Sequence, residues 1–400
     1  MLQVGVLGFF NPMEPSRFRN QAMGRLVPAI ADGRTCWGFV PNALPHSIVY
    51  SPHLGTAISD ATIAVGQLAG LAAQIPNPHL LLGPFIRREA VLSSRIEGTR
   101  TSIEELYAYE AQLSFPGMEP EQGTDPQEVF NYVRALEHGL KRLDTLPCSL
   151  RLIRELHSNL LRGVRGRDRD PGNFRRQQNW IPLPENLVDG NYVPPPVPEM
   201  EVALSEFERY LHEEDVHCKL VRIAMLHYQF ECIHPFLDGN GRVGRLLISL
   251  LLVHWGLLPL PLLYLSAFFE ANRMEYYSRL WAASSRGEIT EWVEFFLRGV
   301  AEQALDAANR VRALQALQIS WKARLTSQRA PSTALQLVDI LFESPVITIP
   351  EAMRRLELNS YHSARRQVER LVEEGILKPV DDRSYGKLFL AEKVMTTIQA

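Results

Sequence analysis

His234-Pro235-Phe236-Leu237-Asp238-Gly239-Asn240-Gly241-Arg242-Val243-Gly244-Arg245 runs straight into an uncharged, mostly aliphatic stretch, residues 246–253. A base, a carboxylate, a small-residue turn and two arginines stand together just ahead of what reads as a buried helix. The physics of that arrangement is anion binding. Gly239, Asn240 and Gly241 let the backbone turn its N–H groups toward one point. The helix that follows adds unpaired N–H groups and the positive end of its dipole. Arg242 and Arg245 share a face of its first turn, so several donors converge on a phosphate chain. Asp238 at the rim can hold Mg²⁺ against those phosphates. His234, just before the turn, is placed to take a proton from an incoming hydroxyl.

The chain has 400 residues, 46% hydrophobic and 22% charged, which suggests two or three domains with ample core. A formal charge of −3 leaves no global basic field to favour nucleic acid. Cys36, Cys148, Cys218 and Cys232 lack metal-ligand spacing and read as core thiols of a reducing compartment. The N-terminus lacks a leader pattern. Residues 246–269 carry no Asp, Glu, Lys or Arg, but His254, Gly256, Pro259 and Pro261 interrupt them. They are expected to form a buried helix, a turn and a following element rather than a membrane span. The expected location is the cytoplasm.

The motif resembles that of the Fic family, His-Pro-Phe-x-Asp/Glu-Gly-Asn-Gly-Arg-x-x-Arg, at every fixed position. The resemblance implies a protein adenylyltransferase that moves AMP from ATP onto a Ser, Thr or Tyr hydroxyl of a protein. It implies His234 as general base and Asp238 as the Mg²⁺ ligand on the α- and β-phosphates. Gly239, Asn240, Gly241 and Arg242 would cradle the phosphates, and Arg245 would bind the γ-phosphate. Pro235 and Phe236 complete the nucleotide loop. Gln229 is expected to border the nucleotide pocket, and Tyr276 and Tyr277 to pack against adenine. Ser93-Ser94-Arg95-Ile96-Glu97-Gly98 resembles the family's inhibitory motif, Ser/Thr-x-x-x-Glu-Gly/Asn. Ser93, Glu97 and Gly98 would then lock the site, with Glu97 pairing with Arg245 and Ser93 orienting the carboxylate. A kinase-like branch of the family carries lysine where this chain has Gly241, so that reading ranks lower.

The resemblance implies an all-α Fic core with a small β-hairpin flap. The expected organisation is an N-terminal Fic segment over residues 1–115, a catalytic core over 127–310 and a C-terminal winged helix-turn-helix over 333–400. Residues 1–45 are weakly patterned and expected as an extended lead-in. Helices are expected over 54–71 and 84–97, and Thr101 with Glu104 marks the start of the next. Asn179-Trp180-Ile181-Pro182 and Tyr192-Val193-Pro194-Pro195-Pro196, around Asp189-Gly190-Asn191, suggest the flap, which in the family holds a target segment by strand addition. Residues 318–332 read as a polar linker. Three short helices, over 335–342, 349–356 and 361–371, precede a hairpin whose turn is at 381–386. Arg365, Arg366 and Arg370 on the third helix are diluted by Glu369, Glu373 and Glu374, so a protein-docking role is expected at least as much as nucleic-acid binding. A DNA-binding regulator with a vestigial core is the competing function. The expected partners are ATP, an unidentified target protein and the chain itself, and a homodimer is compatible with the sequence.

Overall fold

This computed structural model describes residues 10–11, 14–74, 79–113, 123–184, 187, 190–380 and 387–399. In it β1 (Gly24–Ala31) pairs antiparallel with β2 (Arg34–Pro41). Asp32 and Gly33 between them have φ of 50° and 70°, the pair of left-handed positions that an Asp-Gly hairpin turn supplies. Of the lead-in expected over residues 1–45, the stretch 24–41 is therefore corrected to a strand pair, and residues 1–9 and 12–13 lie outside the described residues. Pro28 and the small residues Ala29, Ala31 and Gly38 blur the pair's alternation, and Asp32-Gly33 was the signal that marked it.

The helical body follows: α1 (Pro52–Ala73), α2 (His79–Ile96), α3 (Ile103–Leu113), α4 (Asp125–Arg142) and α5 (Leu150–Leu160). A short hairpin, β3 (Ile181–Pro182) and β4 (Asn191–Tyr192), stands where the flap was expected. Asp189 lies outside the described residues. Next come α6 (Val197–His212), α7 (Lys219–Ile233), α8 (Asn240–His254), α9 (Ser266–Ala271), α10 (Arg273–Arg286) and α11 (Ile289–Ser327). Pro84 sits inside α2 rather than opening it. The capping box lies one residue beyond the expected pair: Glu105 N donates to Ser102 Oγ at 3.2 Å, and Ser102 N to Glu105 Oε2 at 2.8 Å.

α7 and α8 are buried on nearly every side, as helices apolar all round must be. They pack on each other, with α4, α5, α6 and α11 around them. Residues 246–269 form the end of α8, a turn and α9. Among the described residues one helix, α1, is long and apolar enough to cross a membrane by length and composition. Its stripe of Leu54, Ala61, Val65 and Leu68 is buried, and it packs along α11. Cys218 is exposed, unlike the other cysteines.

The C-terminal unit comprises α12 (Ser332–Glu343), β5 (Val346–Thr348), α13 (Ile349–Arg355), α14 (Tyr361–Glu373), β6 (Lys378–Pro379), β7 (Leu388–Leu390) and α15 (Glu392–Gln399). Its sheet order is β5-β7-β6, so β5 and α15 add to the elements expected there; the turn at 381–386 lies outside the described residues. The polar linker over 318–332 is corrected: α11 continues to Ser327 and buries Trp321 and Leu325. The unit is seated on the body. α12 and α15 both pack on α2, and Arg310 Nη1 donates to the carbonyls of Thr397 at 3.0 Å and Ile398 at 2.8 Å.

Candidate active site

α7 ends at His234, whose φ of 47° and ψ of 61° are left-handed. Gly239, with φ of 77°, is the N-cap of α8. Two left-handed residues thus bracket the loop and turn the chain sharply from one central helix into the next. A non-glycine residue in this conformation is uncommon and is held by its surroundings. Asn240 braces the loop from inside: its Oδ1 accepts from Phe236 N and its Nδ2 donates to Phe236 O, both at 2.8 Å. Phe236 is fully buried and stacks on His157 with ring centroids 3.7 Å apart. Gly172 N donates to His157 Nδ1 at 2.8 Å, so Nε2 carries the proton and donates to Asp238 O at 3.0 Å.

His234 is 5% exposed, and neither ring nitrogen has a hydrogen-bond partner among the described residues. Burial, and then the Arg175 guanidinium, lower its pKa to about 3. The imidazole is therefore neutral at physiological pH and has a free lone pair, the state a general base needs.

Arg245 lies on the first turn of α8 and is buried. Its Nη2 donates to Glu97 Oε1 at 2.7 Å and to Ser93 O at 3.1 Å, and its Nε donates to Ser93 Oγ at 2.8 Å. Glu97 follows the end of α2, and Gly98 beyond it has φ of 100°. Burial pushes the Glu97 carboxyl up, but Arg245 outweighs it and the net lies below the ordinary range. One expectation is corrected: Ser93 bonds the guanidinium rather than orienting the carboxylate. Glu97 Oε1 sits against Gly241 so closely that a Cβ there would collide with it. The carboxylate therefore occupies the anion-binding end of α8. Behind it, burial pushes the Glu231 carboxyl up to about 7, with Arg245 opposing.

Arg242 is buried and held from two sides, by Glu128 Oε2 at 3.4 Å and Asp238 Oδ1 at 3.6 Å. Asp238 is 28% exposed, and its Oδ1 accepts from Gly239 N at 2.7 Å. Among the described residues no group of three or more His, Cys, Asp or Glu is arranged to hold a metal. Asp238 is thus a half-buried carboxylate shared between Arg242 and the Gly239 N–H, and a single carboxylate is enough for Mg²⁺, which takes its remaining ligands from substrate phosphates and water.

His234, Glu97, Gly241, Arg245, Tyr276 and Tyr277 line one cavity with Ile181, Pro182, Leu183 and Tyr192 of the hairpin region. Its volume is about 100 Å³, well below the roughly 300 Å³ at which small-molecule sites begin. Tyr276 is also a core residue: it stacks on Phe269 at 4.5 Å, and its hydroxyl meets His227 Nε2 at 2.9 Å. Gln229 is turned away. Its Oε1 meets His46 Nε2 at 3.1 Å and its Nε2 donates to Asn42 O at 3.0 Å, so its expected place at the pocket edge is corrected. Sequence reasoning missed Glu128, Arg175, Asn179 and Glu231. The first three reach the loop across long sequence separations, and no local spacing announces them.

Residues 56–141 match the family model described as Fic/DOC family N-terminal, and residues 147–252 match the Fic/DOC family model. A protein adenylyltransferase Fic of Drosophila virilis is 33% identical over 167 residues, which is 40% of this chain and 30% of that protein. One of Aedes aegypti is 32% identical over 163 residues, 40% of this chain and 28% of that protein. The chain thus spans less than a third of the curated relatives it matches. A solved Fic family protein from Desulfovibrio desulfuricans G20 has a TM-score of 0.54 at 21% identity, covering 86% of this chain and 97% of that one. A Fic domain containing signaling protein from Bacteroides thetaiotaomicron has a TM-score of 0.50 at 18% identity, covering 63% and 98%. At these identities the likeness is one of fold.

Proposed function

Because the chain carries the Fic/DOC N-terminal segment and the Fic/DOC domain, we propose that it is a protein adenylyltransferase that moves AMP from ATP onto a Ser, Thr or Tyr hydroxyl, including its own, and that Glu97 restrains it. The observation that carries this reading is the neutral His234 ring, with no hydrogen-bond partner among the described residues, on the same cavity as Gly241 and Arg245 at the start of α8. A hydroxyl delivered there loses its proton to His234 as its oxygen attacks the α-phosphorus. The bond to the bridging oxygen breaks, and pyrophosphate leaves. Backbone N–H groups at Asn240 and Gly241, with Arg242 and Arg245, offset the charge on the phosphates, while the Gly239 N–H stays on Asp238 Oδ1. Asp238 would hold Mg²⁺, which supplies further charge neutralisation on the phosphates.

Restraint by Glu97 follows from the same contacts. Its carboxylate holds the guanidinium assigned to the γ-phosphate and fills the space that phosphate needs. The C-terminal unit is proposed as a winged helix-turn-helix that docks protein rather than DNA, since Glu369 accepts from Arg365 at 2.7 Å on its third helix; a gel shift at stated salt tests this. Domain limits of 1–115, 127–310 and 333–400 and a cytoplasmic location remain part of the proposal. The test is incubation of the purified chain with ATP followed by mass spectrometry for an AMP adduct. The adduct is expected on the chain and absent from His234→Ala; its equal presence in both would refute the assignment.

A further inference from the structure

Arg175 is 2% exposed and has no carboxylate partner among the described residues. Its guanidinium is spent on carbonyls instead. Nε donates to His234 O at 3.1 Å, Nη2 to Pro195 O at 2.5 Å and Nη1 to Gln177 O at 3.3 Å. Its backbone N also donates to Pro235 O at 2.9 Å. Burying a cation without a counter-charge is costly, and burial lowers the Arg175 pKa to about 10. Packing alone would be served by an apolar side chain at such a position.

The carbonyls it joins explain the arrangement. His234 O is one of the orphan acceptors at the end of α7, at the residue forced into the left-handed conformation. Pro195 lies just beyond β4, at one root of the hairpin. Asn179, just before β3, is at the other root. Its Nδ2 donates to Phe236 O at 2.9 Å and to His234 O at 3.3 Å. Gln178 Nε2 closes the two roots on each other by donating to Pro194 O at 3.0 Å. Both ends of the hairpin are therefore tied to the carbonyls of the loop that carries His234. The hairpin region in turn lines the cavity of the His234 ring through Ile181, Pro182 and Tyr192.

We propose that Arg175, seconded by Asn179, is a positioning residue that holds the hairpin and the His234 loop as one rigid frame. A hydroxyl delivered along the hairpin then arrives in register with the base. This rests on the adenylyltransferase reading for its kinetic consequence but not for its structural one. Arg175 touches neither phosphate-binding glycine nor Arg245, so its loss acts on alignment and spares nucleotide affinity.

The test places Arg175→Met, Arg175→Lys and Asn179→Ala in a Glu97→Gly parent. Three quantities are read: AMP transfer to the chain, ATP affinity, and amide exchange without nucleotide at residues 190–193 and at His234 and Phe236. Arg175→Met is expected to lower transfer about a hundredfold, the scale of a small misplacement of reacting atoms, with ATP affinity changed less than about threefold. Exchange in both segments should rise about tenfold or more, the equivalent of one lost hydrogen bond, while α8 stays protected. Arg175→Lys keeps the charge but lacks the planar fork that spans these separated carbonyls, so it should recover transfer in part. Asn179→Ala should act in the same direction more weakly, and with Arg175→Lys it guards against a Met variant that does not fold. Equal losses of transfer and ATP affinity, or unchanged exchange at 190–193, would overturn the proposal. A parent that transfers nothing would refute the adenylyltransferase reading, and the exchange measurement would still decide the coupling.

Discussion

Glu97→Gly should raise AMP transfer, and the contacts set the scale. ATP must take Arg245 from a carboxylate bonded to it at 2.7 Å, a charge-assisted bond worth about 1.5–3 kcal/mol. At 1.4 kcal/mol per decade that corresponds to roughly 10- to 150-fold in productively placed ATP. Removing the side chain also clears the space beside Gly241 and enlarges a cavity of only about 100 Å³. Ser93→Ala removes one neutral acceptor from Arg245 Nε and should raise the rate only about fivefold, the worth of about 1 kcal/mol. Adding His234→Ala to Glu97→Gly should abolish the gain. The assay is incorporation from labelled ATP at matched protein concentration. A Glu97→Gly rate at or below that of the parent chain would refute the lock and leave residues 93–98 an ordinary helix end.

Three further outcomes are expected. Arg245→Ala should weaken ATP binding and leave AMP binding nearly unchanged; equal losses by calorimetry would refute the γ-phosphate assignment. Ending the chain at Ser332 removes α12 and α15, which pack on α2, so the truncated chain should melt lower and transfer AMP faster. An unchanged melting temperature and rate would show that the C-terminal unit is independent of the lock. Glu89→Gln should be stabilising at high pH. Burial raises the Glu89 carboxyl to about 7 from an ordinary 4.5, so as pH rises the unfolded chain releases this proton first. Stability then falls between those values and is flat above them, by at most about 3 kcal/mol. The variant should match the parent near pH 4.5 and exceed it at pH 8 in urea melts, and equal stability at pH 8 would refute the buried-carboxyl argument.

The loop between α7 and α8 was legible because it is written in residues whose type dictates backbone shape and charge: Gly239 for a left-handed cap, Arg242 and Arg245 for one helix face. The Glu97–Arg245 contact was legible only through the family resemblance, since nothing local ties residue 97 to residue 245. The N-terminal hairpin was hidden by Pro28 and by small residues on its buried face. The C-terminal stretch of α11 was hidden because a long helix that buries only one stripe looks like a polar linker. Arg175 lay beyond sequence reasoning altogether. Its partners are carbonyls, which carry no side-chain signal, and the one on the His234 loop lies 59 positions away. Gln229 was misplaced for a related reason: its partners, His46 and Asn42, lie in and just beyond the weakly patterned N-terminal stretch.

The most direct measurement compares label position in the Glu97→Gly chain, using ATP labelled either at the α- or at the γ-phosphate. AMP transfer predicts covalent label from α-labelled ATP, none from γ-labelled ATP, and loss of the signal when His234→Ala is added. Label retained from the γ position, or no label from either, would contradict the account.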